Sequence, residues 1–234
     1  MVGNVTVHRA ALQSFLLNQV DETSIYLNKK LASVINANDG VILQFLDGTH
    51  YNFDLLIVAD GVHSLVRQKL IPNSHPRYAG YTCWRAVIDN SNLKINEFSE
   101  TWGANGRFGI VPLNNNKLYW FACINATQNN PMMASFKVKD LLIQFKNYHN
   151  QIHEILLSTQ DSDLIWSDII DLKPIHQFAF NRIVLIGDAA HATTPNMGQG
   201  ACQAIEDAVL LSQCMKANED YKKAFKTFEQ MRLK

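Results

Sequence analysis

Two stretches of this sequence place a carboxylate directly after a short apolar run. In the later one, residues 183–186 are all branched and apolar, and Gly187-Asp188 follows them. A short apolar run stopped by glycine predicts a strand buried on both faces, which puts Asp188 at the carboxyl end of that strand. Ligands of open α/β sheets bind at this edge, and a carboxylate there is placed to accept hydrogen bonds from ribose hydroxyls. Asp188 is therefore a candidate ligand-binding residue.

The chain then enters a helix through the glycine-rich stretch Gly198-Gln199-Gly200. Glycine allows the backbone to come close to a ligand, while the unpaired first-turn amides and the helix dipole favour negative charge there. Helical spacing predicts one apolar face on this helix, formed by Ala201, Ala204, Ile205, Ala208, Leu211 and Met215. An ordinary strand-loop-helix connection, with glycines for its turns, also explains these residues.

The earlier stretch repeats the pattern. Residues 54–59 predict a second buried strand, which ends at Asp60-Gly61. Ser64 is placed to cap a helix that runs to residue 70. The chain thus contains two strand-carboxylate-helix units, one at Asp60 and one at Asp188.

The remaining pattern predicts the elements that position these units. Helical spacing predicts a helix over 8–20 with Arg9 in its opening turn, and an amphipathic helix over 221–232. Asp47-Gly48 and a second turn at 38–40 separate three short runs, at 24–35, 41–46 and 50–53, which predict an antiparallel meander.

The middle of the chain has a different pattern. Apolar residues alternate along 79–125, which predicts strands, while 136–155 predicts helices and 164–172 a further strand. We expect a mixed or antiparallel sheet domain over 76–174. It would be inserted into a discontinuous first domain that comprises 1–75 and 175–234.

Composition excludes several classes of protein. The chain has 234 residues, of which 47% are hydrophobic, and its 21 Lys and Arg balance its 21 Asp and Glu. This balance favours neither nucleic acid nor an anionic membrane surface as a partner. No apolar run approaches the ~20 residues of a membrane helix. The four cysteines form no CxxC pair, which predicts reduced, buried thiols in a cytoplasmic protein and argues against a metal site.

Taken together, the motifs resemble those of the flavin-dependent aromatic hydroxylases of the p-hydroxybenzoate hydroxylase fold. The similarity is greatest to the branch that includes urate hydroxylase and zeaxanthin epoxidase. The segment 187–191, with Pro195 and Gly198-Gln199-Gly200, is similar to the family's Gly-Asp motif, and Asp60-Gly61, with Ser64 and Arg67, to its Asp-Gly motif. Arg9 resembles the arginine that opens a flavin-contacting helix. These matches cover nearly the whole chain in the family's order.

The resemblance implies an α/β (α+β) fold, in which an FAD/NAD(P)-binding domain carries the inserted substrate domain. It also implies FAD as cofactor, NADH or NADPH and dioxygen as co-substrates, and a small aromatic or heteroaromatic substrate. No side-chain nucleophile is required, because the cofactor carries the difficult step. The cofactor-binding residues implied are Arg9, Leu31, Asp60, Asp188, Pro195, Gly198, Gln199, Gly200, Ala201 and Cys202.

For the substrate, the resemblance to urate hydroxylases points to Arg107 and Tyr119 as catalytic residues. A guanidinium would hold an anionic or keto group, and a phenol would donate or accept a proton. The alternative is a strand-edge cation and a core aromatic. Cys83, which stands where urate hydroxylases have an asparagine, and Arg85 are the candidate substrate-binding residues. His191 is interpreted as a structural histidine that orders the loop after Asp188.

One family feature is missing from the sequence. The family begins with a GxGxxG unit that cradles the pyrophosphate of FAD, and this chain contains no GxGxxG. We therefore expect an N-terminally truncated chain with an incomplete cofactor domain. Two alternatives stay open, namely another flavoprotein oxidoreductase on the same scaffold, such as a reductase or halogenase, and an inactive fragment without cofactor. A homodimer is compatible with the sequence.

Overall fold

The computed structural model describes residues 6–233 and divides them into two compact units. The first, here the sheet unit, comprises residues 6–25 and Gly80–Ile169. The second, here the motif unit, comprises Tyr26–Ala79 and residues 170–233. The assignment of 1–75 with 175–234 to the cofactor and of 76–174 to the substrate stays a prediction, because compactness alone does not say which ligand a unit binds.

The described residues form mixed α/β structure, and the predicted fold class is confirmed. The strands are β1 Leu31–Asn36, β2 Val41–Phe45, β3 His50–Phe53, β4 Leu56–Val58, β5 Pro76–Asp89, β6 Ser99–Gly103, β7 Gly106–Leu113, β8 Lys117–Asn125, β9 Ile165–Leu172, β10 Ala179–Phe180 and β11 Ile183–Leu185. The helices are α1 Arg9–Leu17, α2 Leu65–Leu70, α3 Pro131–Ala134, α4 Val138–Gln144, α5 Asn150–Leu157, α6 Asp188–His191, α7 Gly200–Ala217 and α8 Tyr221–Arg232.

The motif unit contains the predicted meander. Strands β1, β2 and β3 pair antiparallel in that order, although β1 begins only at Leu31. The turn between β2 and β3 is fixed by Asp47, which accepts a hydrogen bond from the Thr49 amide at 2.9 Å, and by Gly48 at φ +84°. An Asp-Gly pair supplies both features, because glycine reaches positive φ without a steric penalty.

The second sheet of the motif unit brings the two strand-carboxylate units together. Its order is β10-β11-β4, and β11 runs parallel to β4 with Val184 opposite Ile57. Both strands therefore end at the same edge of the sheet. Their apolar side chains join one core cluster with α7 and α8, which includes Val58, Val66, Ile183, Val184, Leu185, Leu211, Phe225 and Phe228.

Helix α7 packs with a different face from the one the sequence predicts. Leu211 is buried as expected, but Ala201, Ile205 and Ala208 are exposed, and the other buried positions are Asp207 and Cys214. The apolar spacing was misleading because a carboxylate with hydrogen-bond partners is able to occupy the buried stripe. Of the buried positions in α7, Asp207 is the one of most interest for function.

The sheet unit is built on strand order β6-β7-β8-β5-β9. One face of this sheet is buried against α4 and α5, in a core that includes Trp84, Phe108, Trp120, Leu141, Phe145, Ile152 and Ile155. Alternation along each strand turns the intervening residues to the opposite face. In the part of the chain from 6 to 233, no helix is long and apolar enough to cross a membrane.

Candidate cofactor and substrate site

The turn after β4 carries an exposed carboxylate. Asp60 is exposed, Gly61 lies at φ +85°, and Ser64 caps α2 by accepting a hydrogen bond from the Arg67 amide at 3.0 Å. The cap is the one predicted from the sequence. Among the residues the structure describes, no side chain forms an ion pair with Asp60, so its oxygens are available to a ligand.

Arg67 holds this turn from beneath. Its side chain is fully buried and donates hydrogen bonds to three backbone carbonyls, those of Val62 at 2.5 Å, Ala189 at 3.1 Å and Ser74 at 3.4 Å. Burial lowers the pKa of Arg67, although the nearby Asp60 charge opposes this effect. Because Val62 follows Asp60-Gly61 and Ala189 follows Asp188, one guanidinium links both motif turns.

The turn after β11 is built differently. Gly187 adopts φ +56° and ψ −143°, and Asp188 is the first residue of the single-turn helix α6 rather than part of a loop. Asp188 is exposed. The conformation of Gly187 is almost restricted to glycine, so the turn requires this residue.

Buried Asp207 anchors both ends of α6. One of its carboxylate oxygens accepts a hydrogen bond from the Gly187 amide at 2.7 Å and lies 2.7 Å from Nε2 of His191. Its other oxygen lies 2.5 Å from Nε of Arg232, in α8. Burial acts to raise the pKa of Asp207, but the His191 and Gly187 hydrogen bonds and the Arg232 charge outweigh it and leave that pKa lowered.

Sequence reasoning missed Asp207 and identified only its partner. The contact supports the structural interpretation of His191, since the imidazole ties α6 to α7. The available signal was a carboxylate three residues after Ala204 and four before Leu211, and thus on the apolar side of an amphipathic helix.

The start of α7 leaves space for a ligand. Gly198 lies at φ +63°, and a Cβ at Gly198 or Gly200 would meet no atom within 4 Å. The N-cap residue Gln199 makes no side-chain hydrogen bond to the first turn. The first-turn amides are thus uncapped by a side chain, as an anion or a polar ring edge would require.

These features fit FAD at the motif unit. Asp60 and Asp188 are exposed carboxylates at the ends of two adjacent parallel strands, suited to accept hydrogen bonds from ribityl or ribose hydroxyls. The uncapped start of α7 suits the polar edge of the flavin ring. Pro195 begins a 3-10 turn just before α7, and Ala201 and Cys202 are exposed in the first turn of α7.

The other two predicted cofactor residues begin α1 and β1. Arg9 is exposed as the first residue of α1, in the sheet unit. Leu31 begins β1 and packs, half-buried, against the core of the motif unit. Among residues 6–233, no group of three or more His, Cys, Asp or Glu side chains is arranged to hold a metal ion.

The predicted substrate residues lie on the face of the sheet opposite α4 and α5, in neighbouring rows across its strands. The pairing register defines the rows, since partners on adjacent strands share a face. The first row is Cys83, Cys123, Arg107 and Trp102, the next is Arg85, Phe121, Gly109 and Glu100, and a third is Val87, Tyr119 and Val111. The sheet therefore brings Cys83, Arg85, Arg107 and Tyr119 together on one face.

The side chains around Arg107 and Tyr119 determine their charge and protonation. Nη1 of Arg107 lies 3.1 Å from Oε1 of Glu100, and its guanidinium lies over the rings of Tyr81 and Trp102, 5.3 and 5.7 Å from their centroids. Burial raises the pKa of Tyr119 to about 12, so its phenol is protonated at neutral pH and is able to donate a hydrogen bond. Cys83 and Cys123 are buried free thiols.

Comparison with known proteins places the chain in a family. A family model described as an FAD binding domain matches residues 12–225, which include both motif turns and the start of α7. The chain belongs to this FAD binding domain family. The resemblance inferred from the two motifs is confirmed.

Two curated relatives are similar to this chain over most of its length. The chain is 38% identical to aurachin C monooxygenase/isomerase of Stigmatella aurantiaca over 230 residues. The aligned residues cover 98% of this chain and 60% of that protein. It is 30% identical over 216 residues to 2-heptyl-3-hydroxy-4(1H)-quinolone synthase of Pseudomonas aeruginosa, 90% of this chain and 56% of that protein.

A solved structure with bound FAD has a similar fold. The Klebsiella pneumoniae protein HpxO, solved with FAD and uric acid, superimposes with a TM-score of 0.91 at 28% identity over 97% of this chain and 59% of that one. The chain thus spans little more than half the length of the relatives it matches.

Proposed function

We propose that the protein is an FAD-dependent monooxygenase that hydroxylates a small aromatic or heteroaromatic compound at the expense of NADH or NADPH. The observation that carries the proposal is the pair of exposed carboxylates, Asp60 and Asp188, on adjacent parallel strands of an FAD binding domain family member. Bound FAD would take two electrons from the nicotinamide and deliver one atom of dioxygen to the ring, while the other atom leaves as water.

The motif unit would bind and orient the cofactor. Asp60 and Asp188 would accept hydrogen bonds from its hydroxyls, and the amides at the start of α7 would stabilise negative charge on the flavin ring. The remaining cofactor residues in this proposal are Arg9, Leu31, Pro195, Gly198, Gln199, Gly200, Ala201 and Cys202.

The sheet face opposite α4 and α5 would form one wall of the substrate site. Tyr119, with its raised pKa of about 12, would donate a hydrogen bond to the substrate rather than act as a base. Arg107, Arg85 and Cys83 would complete the wall. A heteroaromatic substrate is supported by the relatives, since one is named for a quinolone product and another was solved with uric acid.

The test measures oxygen transfer and not only nicotinamide oxidation. The purified chain is supplied with FAD, NADH or NADPH, and a panel of phenols, purines and quinolones under ¹⁸O-labelled dioxygen. We expect at least one compound to stimulate nicotinamide oxidation and to gain a single labelled oxygen atom. Nicotinamide oxidation without labelled product from any compound would contradict a monooxygenase.

A matched variant tests the role of Tyr119. Tyr119→Phe removes the hydroxyl and keeps the ring, so its effect reports the hydrogen bond alone. We expect the rate of labelled product to fall about 10-fold to 100-fold, as loss of a positioned proton donor does. An unchanged rate would assign Tyr119 to the core instead.

A further inference from the structure

Phe121 lies in the row that crosses the centre of the sheet face opposite α4 and α5. Its register partners are Arg85 on β5 and Gly109 on β7, and all three side-chain positions share this face. Phe121 and Arg85 are half-buried, and the Tyr119 ring lies 6.1 Å from the Phe121 ring, centroid to centroid. The row therefore offers an aromatic ring beside a cation.

Gly109 makes room for that ring. A Cβ at residue 109 would lie 2.1 Å from both Cε1 and Cζ of Phe121, a distance that no side chain tolerates. The Phe121 ring thus occupies the volume above Gly109 and lies across the sheet instead of standing upright. Such a ring is suited to stack with a planar aromatic ligand.

The two arginines of this face differ in charge compensation. Arg107 is paired with Glu100 at 3.1 Å and is flanked by two aromatic rings. Arg85 donates a hydrogen bond from Nη1 to the neutral hydroxyl of Ser167 at 2.8 Å. No carboxylate lies within 4.0 Å of Arg85 among the residues that the structure describes.

We propose that Arg85 binds a carbonyl or anionic oxygen of a planar heteroaromatic substrate whose ring stacks on Phe121. A guanidinium has five N–H donors, and one of them engages Ser167, so donors remain for a ligand oxygen. Arg107, whose charge Glu100 neutralises, shapes the wall. This inference rests on the proposed function and narrows its substrate class to rings that bear an acidic or keto oxygen.

The competing explanation is a purely structural role for Arg85. Its hydrogen bond to Ser167 joins β5 to β9, and that bond alone would explain why an arginine stands there. The two roles make different predictions, because a structural link is lost when either partner is removed, whereas a ligand contact is lost only with the arginine.

The experiment measures equilibrium binding to the FAD-supplemented full chain, with matched pairs of probes. Each pair is a heteroaromatic ring with its oxygen and the same ring without it, such as 4(1H)-quinolone with quinoline, and uric acid with purine. Native protein should bind the oxygen-bearing member of at least one pair about tenfold more tightly, as a charge-assisted hydrogen bond provides.

The variants separate the explanations. Arg85→Met should abolish the preference, Arg85→Lys should retain part of it, and Ser167→Ala should leave it intact. Gly109→Ala should weaken binding of both members of a pair equally, because it displaces the Phe121 ring. A preference that survives Arg85→Met, or that Ser167→Ala abolishes as completely, would overturn the proposal, as would its absence from every pair in native protein.

Failure of the inference is distinguishable from failure of the proposed function. Transfer of labelled oxygen to a ring without an oxygen substituent would support the proposed monooxygenase function but would overturn the proposed role of Arg85. An Arg85-dependent binding preference without oxygen transfer to any compound would support the role of Arg85 and contradict the monooxygenase.

Discussion

The turns after β4 and β11 perform the same task with buried charges of opposite sign. At the first, the Arg67 guanidinium donates to backbone carbonyls, including that of Val62. At the second, the Asp207 carboxylate accepts from the Gly187 amide. In both turns the buried charge holds backbone, while the carboxylates of Asp60 and Asp188 stay exposed. The proposed ligand-binding carboxylates thus stay exposed, while other, buried side chains hold the turns.

The two anchors are not equivalent. Arg67 reaches both turns, because it also donates to the carbonyl of Ala189 next to Asp188. Asp207 serves only the second turn and ties it to α8 through Arg232. The comparison therefore predicts that loss of Arg67 is the more damaging of the two.

Removal of Arg67 should have the largest effect. Arg67→Met keeps much of the buried volume but leaves the carbonyls of Val62, Ser74 and Ala189 without this donor. We expect the free energy of unfolding to fall by about 3–5 kcal/mol, measured by urea denaturation. The exposed Lys226 of α8 is the control, since Lys226→Met should have a much smaller effect. Equal losses would contradict the anchoring role of Arg67.

Removal of the charge at Asp207 should have the next largest effect. Asp207→Asn can still accept from the Gly187 amide but removes the buried one of the two carboxylates that pair with Arg232, the other being the exposed Glu206. We expect a loss of about 2–3 kcal/mol in unfolding free energy. Glu206→Gln removes the other carboxylate at Arg232 and should cost about 0.5 kcal/mol or less. The reverse order would show that Asp207 does not anchor α6.

The opposite signs of the anchors predict different acid sensitivity. The pKa of Asp207 is lowered from 3.8, so its contribution to stability is complete above that pH and is lost as pH falls through the folded pKa. The stability difference between native protein and Asp207→Asn should therefore shrink below about pH 4, whereas that for Arg67→Met should persist. Urea denaturation at pH 6 and pH 3 checks this, and parallel behaviour of the two differences would be the contrary result.

The glycines of the two turns should show the smallest effects. Gly61→Ala places a side chain at φ +85° in open space, for which we expect a loss of about 1 kcal/mol. Gly187→Ala adds a Cβ at φ +56° that lies 3.2 Å from Cβ of Ala204, and should cost about 1–2 kcal/mol. Thermal unfolding of the two variants tests the order. A more damaging Gly61→Ala would mean that the first turn is the tighter one.

Local sequence was sufficient to locate both turns. Apolar runs that end in glycine and aspartate identify β4 and β11, and both Asp60 and Asp188 are exposed as their proposed role requires. The Asp47-Gly48 hairpin was equally predictable from the sequence, because the turn depends on those two residues themselves.

The anchors were not predictable in the same way. Asp207 is buried because Gly187, His191 and Arg232 contact it from other parts of the chain. Helical periodicity does not predict such partners. The same applies to the pairing of Arg107 with Glu100, which depends on the register of β6 against β7. Spacing identifies which residues share a face, but charge compensation depends on the tertiary partners.

A titration of FAD with the purified chain tests whether the exposed carboxylates of the motif unit hold the cofactor. Flavin fluorescence reports binding without any need for turnover. We predict saturable binding by the native chain and at least about tenfold weaker binding by Asp188→Ala, as expected for the loss of hydrogen bonds to a charged acceptor. No saturable binding by the native chain, or equal affinity in the variant, would contradict the account.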